Sequence, residues 1–157
     1  MPKVSVIIPV FNGAETIGRA LQSVFAQTFT DYEIVVVNDG STDDTASVLA
    51  GYGEKIRVVS QSNRGLSAAR NAGIAASQGE YVALLDDDDQ WLPEKLALCV
   101  PVLDADPDCA LVYTGMLKVD ADGRPLSGPY GSPRGVESPT MQEMLERPWN
   151  LVPPDHG

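Results

Sequence analysis

The chain has 157 residues, of which 43% are hydrophobic and 21% charged, a balance typical of one globular domain with a real core. Its formal net charge of −11 offers no basic stripe to a nucleic-acid backbone, so we expect no nucleic-acid partner. The sequence shows no apolar run of the ~20 residues that span a membrane and no leader-like start. We therefore expect a cytoplasmic protein in which Cys99 and Cys109 are buried free thiols.

Strand and helix patterns alternate along the chain. The first helix should bury Ile17, Ala20, Leu21, Val24 and Phe25, which follow the 3.6-residue period of one apolar stripe. Runs of β-branched and apolar residues predict strands over 4–8, 32–37, 56–59, 81–85 and 110–113.

Three further helices are predicted between these strands. Ser41, with Asp44 three residues on, resembles a capping box that starts the second helix. Small side chains fill the third over residues 66–76, so this helix can approach a sheet closely. The fourth should open at Pro93 and run to about Leu103, with Pro101 kinking it or ending it early. This alternation predicts an α/β sandwich around a mainly parallel sheet with right-handed crossovers.

The character of the chain changes near its end. A hairpin is expected to follow Leu117 and to turn at Asp122-Gly123. Seven of the twelve prolines lie beyond Arg124. We therefore predict one domain over residues 1–123 and a loop-rich extension over 124–157.

Polar segments follow three of the predicted strands, and ligands of open α/β sheets bind at the carboxyl ends of the strands. These segments are 9–12, 38–41 and the aspartate run 86–89. Strand alternation would place Asp86 and Asp88 on one face, where two carboxylates suit Mg²⁺ or Mn²⁺. A solvated acidic loop is the alternative interpretation of such a charge run.

Two further residues are candidates for ligand contact. Asp39 has the acceptors to bind a base N–H or a ribose hydroxyl, although an aspartate before Gly40 also suits a turn. Arg70 has the charge to pair with a phosphate or with a carboxylate such as Asp39 or the aspartate run, or it is a surface arginine. The dinucleotide fingerprint Gly-x-Gly-x-x-Gly is absent after the first strand, which disfavours an NAD site.

Four motifs, taken in order, resemble those of the family 2 glycosyltransferases of the GT-A fold. They are the segments 6–12, 36–43, 63–71 and 85–93, and the match runs through roughly residues 4–120. The resemblance implies a GT-A (Rossmann-like) sandwich with a mainly parallel central sheet flanked by helices. It further implies a nucleoside diphosphate sugar as ligand, a UDP-sugar foremost, together with Mn²⁺ or Mg²⁺.

The same resemblance implies which residues bind the donor. Asp88 is the first choice as metal ligand and Asp86 the second. Glu15 is a weaker candidate, because an acid near a helix N-terminus is also favoured by the helix dipole. The full implied set is Pro9, Val10, Phe11, Asn12, Glu15, Asp39, Ser41, Arg70, Asp86, Asp87 and Asp88.

The implied reaction is inverting, metal-dependent sugar transfer to the hydroxyl of a glycan or lipid-linked acceptor. In the family the catalytic base is an acidic residue well downstream of the metal motif, so we assign no base here. We expect the chain to be a donor-binding part that is weakly active or inactive alone, with any peripheral membrane association supplied by a further part. A non-catalytic nucleotide-binding module remains open, whereas a receiver domain lacks its strand-end lysine and a calcium loop lacks its spacing.

Overall fold

The computed structural model describes residues 1–120, Arg124 and Leu126. The chain divides into two compact units, Met1–Ala97 and Leu98–Gly157. Within the described residues no helix has both the length and the apolarity that a membrane crossing requires. In chain order the elements are β1 (Val4–Val10), α1 (Ile17–Phe25), β2 (Tyr32–Asp39), α2 (Thr45–Ala50), a 3-10 turn (Gly53–Lys55), β3 (Arg57–Gln61), α3 (Leu66–Ala76), β4 (Tyr81–Leu84) and α4 (Lys95–Ala105).

The described strands form one four-stranded sheet in the order β3-β2-β1-β4, and its three neighbouring pairs are all parallel. This arrangement confirms the predicted parallel α/β sheet. The chain adds β2 and β3 on one side of β1 and then returns to place β4 on the other side. The strand order therefore reverses at β1, and such a switch point is where open α/β sheets bind ligands.

Strand β1 is longer than predicted because it includes Pro9 and Val10. Leu85 N donates to Ile7 O, so the backbone N–H and C=O of Ile7 point toward β4. In a parallel ladder this direction recurs at every second residue, so the backbone of Pro9 also faces the β4 side. The pairing with β4 ends at Ile7, while the pairing with β2 continues to Val10. Pro9 thus lacks an N–H only where no β4 residue stands opposite to accept one.

Helix α3 packs directly on the sheet, as its small side chains predict. Ala69 belongs to a buried cluster with Val35 and Val37, and Val59, Ala72 and Ala76 pack against that cluster. A Cβ added at Gly73 would overlap the side chain of Ile7. Glycine at this position therefore lets the helix backbone lie close to the central strand.

Two predictions about the first helices are wrong in detail. Phe25 ends α1 half-exposed, stacked on Tyr52 with ring centroids 6.0 Å apart, and is not part of the buried stripe. Helix α2 begins at Thr45 and not at Ser41, because the Ser41 hydroxyl accepts a hydrogen bond from Asn12 N, 3.0 Å away, and does not cap the helix.

The second unit departs further from prediction. Pro101 lies inside α4, which accommodates the one lost N–H and continues to Ala105. The predicted strand at 110–113 is not formed, since this apolar run pairs with none of the described strands. Leu126 N donates to Lys118 O in agreement with a hairpin, whose predicted turn at Asp122-Gly123 lies outside the described residues. Both cysteines are half-buried thiols, not the fully buried ones predicted.

Candidate functional site

A cavity of about 270 Å³ lies at the carboxyl ends of the strands in the first unit. It brings together five of the residues predicted as site residues, contributed by the ends of β1 and β2 and the segment after β4. It also contains residues of the segment before α3 and of α3 itself, which the sequence analysis placed in a motif without assigning them to the site. The lining residues are Pro9, Val10, Phe11, Asp39, Asn63, Gly65, Leu66, Ala69 and Asp87.

Asp39 is the most completely bonded carboxylate of this site. Its Oδ1 accepts from Gln61 Nε2 at 2.7 Å and from Arg64 N at 2.9 Å, and its Oδ2 accepts from Gly65 N at 2.8 Å. The side chain is buried, with 3% of its surface exposed. The hydrogen bond from Gln61 is the main cause that lowers the pKa of Asp39 below its ordinary value, with the two backbone N–H groups adding to it against the cost of burial.

These bonds argue against the interpretation of Asp39 as the residue that forms the turn. The turn after β2 is made by Asn38, whose Oδ1 accepts from Ser41 N at 2.9 Å. Gly40 takes the left-handed conformation there, with φ +76°, and an added Cβ would lie 2.6 Å from Asn63 N. Asp39 is therefore free of the turn, and it fixes the segment that leads into α3.

The aspartate run forms a tight turn and not an extension of the strand. Strand β4 ends at Leu84, and Asp89 N donates to Asp86 O at 3.1 Å. The predicted alternation, with Asp86 and Asp88 on one face and Asp87 turned away, is wrong because alternation requires an extended backbone. We call residues 86–89 the acidic turn.

The members of the acidic turn have different surroundings. Asp86 pairs with Arg70, whose Nη2 lies 2.6 Å from Asp86 Oδ1. Of the alternatives considered for Arg70, the structure shows pairing with the aspartate run. The second carboxylate, Asp87, accepts from the Thr16 hydroxyl at 2.9 Å and is half-buried. Asp88 is exposed to solvent.

Close approach at Gly13 makes room for Asp87. A Cβ added at Gly13 would overlap Asp87 Oδ2 and would lie 2.6 Å from Val10 Cγ2. Any side chain at this position would displace either the carboxylate or β1. The loop after β1 therefore fixes the near side of the acidic turn.

The electrostatics of the acidic turn are opposite to those of Asp39. Burial is the main cause that raises the pKa of Asp87, and the charges of Asp88 and Asp86 add to it while the Thr16 hydrogen bond opposes it. Burial also leads in raising the pKa of Asp89, followed by the same two charges. The turn therefore holds mutually repelling carboxylates that a cation would stabilise.

The donor set of the acidic turn fits a divalent cation. Among the described residues no three acidic, histidine or cysteine side chains converge as a complete metal cage. Mg²⁺ does not need one, since it binds through one or two carboxylates together with water and substrate phosphates. Asp88 is exposed and suits this role, whereas Asp86 would share its charge with Arg70.

The exits of β1 and β2 are joined by hydrogen bonds around Asn12. Asn12 has a φ of +54°, and its N donates to the Ser41 hydroxyl at 3.0 Å. Its Oδ1 accepts from Thr42 N at 2.7 Å. The structure thus gives Asn12 and Ser41 a role in tying the two loops together, and neither lines the cavity that contains Asp39.

A second cavity, of about 420 Å³, lies beside this junction. It contains Glu15, which is exposed and precedes α1. Glu15 therefore lies apart from the cavity of Asp39 and groups with Asn12. The lining residues are Asn12, Gly13, Ala14, Glu15, Thr16, Asp43 and Asp44.

Sequence reasoning missed the polar residues that order these loops. Asp43 accepts from Ala14 N at 3.1 Å and from Thr45 N at 3.0 Å, while the Thr45 hydroxyl accepts from Gly13 N at 3.0 Å. Asp43 lies inside the second motif, 36–43, but the sequence analysis assigned it no role.

Helix α1 holds the segment that follows the acidic turn. The buried Gln27 donates from Nε2 to Leu92 O at 2.7 Å and accepts at Oε1 from Leu96 N at 3.0 Å. Ser23 adds a third bond, because its hydroxyl accepts from Trp91 N at 3.1 Å. Thr16, which precedes α1, binds Asp87. Helix α1 and the residues that flank it therefore contact both the acidic turn and the segment that follows it.

The chain has a parallel α/β sheet with a cavity and carboxylates at the strand ends. These features are typical of the open-sheet α/β proteins that bind ligands at this edge. The match to a family model narrows the class, because the model described as glycosyl transferase family 2 covers residues 5–150. The chain belongs to this family, which confirms the resemblance of its four motifs.

Relatives with this sequence pattern are much longer than the chain. It is 35% identical over 163 residues to a chondroitin synthase of Escherichia coli, covering 97% of this chain and 24% of that protein. It is 37% identical over 136 residues to a hyaluronan synthase of Pasteurella multocida, covering 85% of this chain and 14% of that protein. The chain thus spans less than a third of either synthase.

Solved structures confirm the GT-A fold. Staphylococcus aureus TarS 1–349, in complex with UDP-GlcNAc, has a TM-score of 0.66 and 30% identity over 80% of this chain and 37% of its own. The mannosyltransferase PcManGT of Pyrobaculum calidifontis, in complex with GDP-Man and Mn²⁺, has a TM-score of 0.60 and 32% identity over 68% of this chain and 33% of its own.

Proposed function

We propose that this chain is the donor-binding part of an inverting glycosyltransferase that takes its sugar from a nucleoside diphosphate sugar, foremost a UDP-sugar. The observation that carries the proposal is the cavity at the switch point of the sheet, where Asp39, Phe11 and Asp87 come together. The UDP-GlcNAc complex of TarS supports the choice of donor class.

In this proposal the residues at the strand ends share the work of donor binding. Pro9, Val10 and Phe11 form the apolar wall against which a flat base lies, and Asp39 accepts a hydrogen bond from the nucleoside. Arg70 lies beside the acidic turn, where its guanidinium has the geometry to bind phosphate oxygens.

The acidic turn would hold a divalent cation through Asp88, with Asp86 as the second carboxylate. When bound, Mn²⁺ or Mg²⁺ supplies positive charge for the diphosphate leaving group. Burial is the main cause that raises the pKa of Asp87 and Asp89, and the charges of Asp86 and Asp88 add to it. That repulsion supports this assignment, as does the Mn²⁺ in the PcManGT complex.

Transfer also needs a base that deprotonates the acceptor hydroxyl for attack at the anomeric carbon. We assign no described residue to that role, so the chain alone is proposed to bind the donor and to turn it over weakly or not at all. The similarity to chondroitin and hyaluronan synthases supports a glycan acceptor and a place in polysaccharide synthesis.

Calorimetry with UDP in the presence of Mn²⁺ tests the proposal. The parent chain should bind UDP, and Asp88→Ala should bind it about 10- to 100-fold more weakly, because a charge-assisted contact contributes about 1.5–3 kcal/mol. Removing the metal with a chelator should weaken binding to the parent and leave the variant almost unchanged.

Asp44→Ala is the matched control, since Asp44 is equally exposed but lines the other cavity. Equal binding of UDP by the parent and Asp88→Ala would remove the metal role. A parent that binds no nucleoside diphosphate at all would overturn the proposal as a whole.

A further inference from the structure

Asp39 has room for one more hydrogen bond and not for two. An ionised carboxylate has about four acceptor sites, two on each oxygen. Gln61 and Arg64 occupy both sites on Oδ1, and Gly65 occupies one site on Oδ2. One site on Oδ2 is left in a side chain that is otherwise enclosed by protein.

Two of these three donors are backbone groups and cannot be changed by substitution, whereas the third is the Gln61 side chain. Gln61 is the last residue of β3, opposite Asp39 in the parallel register, so the sheet itself brings the amide to the carboxylate. Gln61 does not line the cavity. It therefore acts on a ligand only through Asp39.

Nucleobases differ in the number of donors that they offer to such a carboxylate. The pairing edge of uracil has one N–H between two carbonyl oxygens. The pairing edge of guanine has two adjacent donors, the ring N–H and the exocyclic amine, which bind a carboxylate best through both of its oxygens. Solved neighbours of this chain bind both kinds of base, since TarS was solved with UDP-GlcNAc and PcManGT with GDP-Man.

We propose that Gln61 is a positioning residue for base selection: by occupying Oδ1 of Asp39 it leaves a single acceptor, which admits the one-donor edge of uracil and disfavours the two-donor edge of guanine. This inference rests on the proposed donor-binding function and adds the basis of its nucleotide specificity. Gln61 thereby determines which nucleotide the cavity prefers, although it touches no ligand itself.

The test compares the affinities for UDP and GDP, each with Mn²⁺, by calorimetry of the parent chain and of Gln61→Met. Methionine keeps the length of the side chain and removes the N–H donor. The parent should bind UDP about 10-fold more tightly than GDP, which corresponds to one well-made hydrogen bond to a charged group. In Gln61→Met this ratio should fall to near one, because an acceptor on Oδ1 is released.

A merely structural role for Gln61 would weaken both nucleotides equally and leave their ratio unchanged. Gln61→Ala provides a second variant in case the methionine side chain blocks the released oxygen. Gln22→Met is the matched control, because Gln22 is exposed on α1 away from the cavity, and its ratio should equal that of the parent.

The outcomes separate this inference from the proposed function. UDP binding with an unchanged UDP-to-GDP ratio in both Gln61 variants overturns the role of Gln61 and leaves the donor site intact. A parent that prefers GDP overturns the acceptor count at Asp39. If the parent binds neither nucleotide, both the inference and the proposed function fall.

Discussion

Two strand exits of the same sheet use aspartate in opposite ways. At the end of β2, Asp39 is buried, accepts three hydrogen bonds and has a lowered pKa. After β4, the acidic turn collects four consecutive carboxylates, and the pKa values of Asp87 and Asp89 are raised, mainly by burial.

The difference shows that a carboxylate's role depends on the donors around it. Backbone N–H groups from the segment before α3 reach Asp39, so its charge is stabilised by the protein alone. The acidic turn has one arginine and one hydroxyl within hydrogen-bonding distance, at Asp86 and Asp87. In the proposed function a divalent cation would complete its charge balance.

The largest expected effect comes from removing the charge of Asp39. In Asp39→Asn the side-chain NH2 replaces one carboxylate oxygen, so at least one of the three donors faces another donor and loses its hydrogen bond. We expect a loss of about 3 kcal/mol in the free energy of unfolding. Chemical denaturation measures it. If the proposed function holds, UDP affinity should fall together with stability, since the side chain that orders the loop is also the one proposed to contact the nucleoside.

The contribution of Asp39 also has a characteristic pH dependence. Because its folded-state pKa is lowered, the stabilisation is complete above the ordinary aspartate pKa and is lost as the pH falls through the folded-state value. Asp44→Asn, the control at an exposed aspartate, should show no comparable loss at neutral pH. A parent and an Asp39→Asn variant of equal stability at pH 7 would contradict the role given to the three hydrogen bonds.

A smaller effect is expected at the support of the acidic turn. Gln27→Met removes the amide that bonds Leu92 and Leu96, and we expect a loss of about 2 kcal/mol in unfolding free energy. The affinity of Gln27→Met for UDP should fall more in the presence of Mn²⁺ than in its absence, each relative to the parent. Gln22→Met again serves as control, and an unchanged dependence on Mn²⁺ would show that α1 does not position the turn.

The smallest effect should appear in the pH dependence of the acidic turn. Since the folded-state pKa of Asp87 is raised, its ionisation costs stability as the pH rises from the ordinary aspartate value through the folded-state value. In Asp87→Asn the amide oxygen still accepts from Thr16 and the charge is gone. The variant should therefore gain stability relative to the parent over that rise in pH.

Denaturation of both proteins at several pH values, with and without Mn²⁺, measures this effect. Added Mn²⁺ should reduce the difference between the parent and Asp87→Asn at the upper end of the range. A parent that gains stability relative to the variant as the pH rises would reverse the sign and contradict the repulsion inferred for the turn.

Much of the fold followed from the sequence because its pattern is local. The continuous apolar runs of β1 and β2 predict strands buried on both faces, and the small residues of α3 give its limits, Leu66–Ala76, directly. The run at 110–113 shows the limit of this reasoning. Its residues have the composition of a strand, but a strand requires a partner, and composition does not indicate whether one is available.

The sequence singled out candidate residues at the strand ends but did not predict their contacts. The aspartates and Arg70 stand out by type and position, while the roles of Gln61 and Gln27 depend on pairs 22 and 65 or more residues apart in the chain. Alternation failed at the acidic turn because one backbone hydrogen bond, from Asp89 N to Asp86 O, bends the chain just after β4.

The unequal lengths of the strands have a consequence for how a ligand reaches the sheet. Beyond Ile7, β1 continues for three residues beside β2 with no β4 residue opposite it, a step of about 10 Å at the usual rise per residue. A neighbouring strand of equal length would fill that notch with backbone. In the proposed function, the depth available to a nucleotide would depend on where this four-residue strand stops. An insertion that lengthened β4 would close the notch and would also displace Asp87, which follows the strand and lines the cavity.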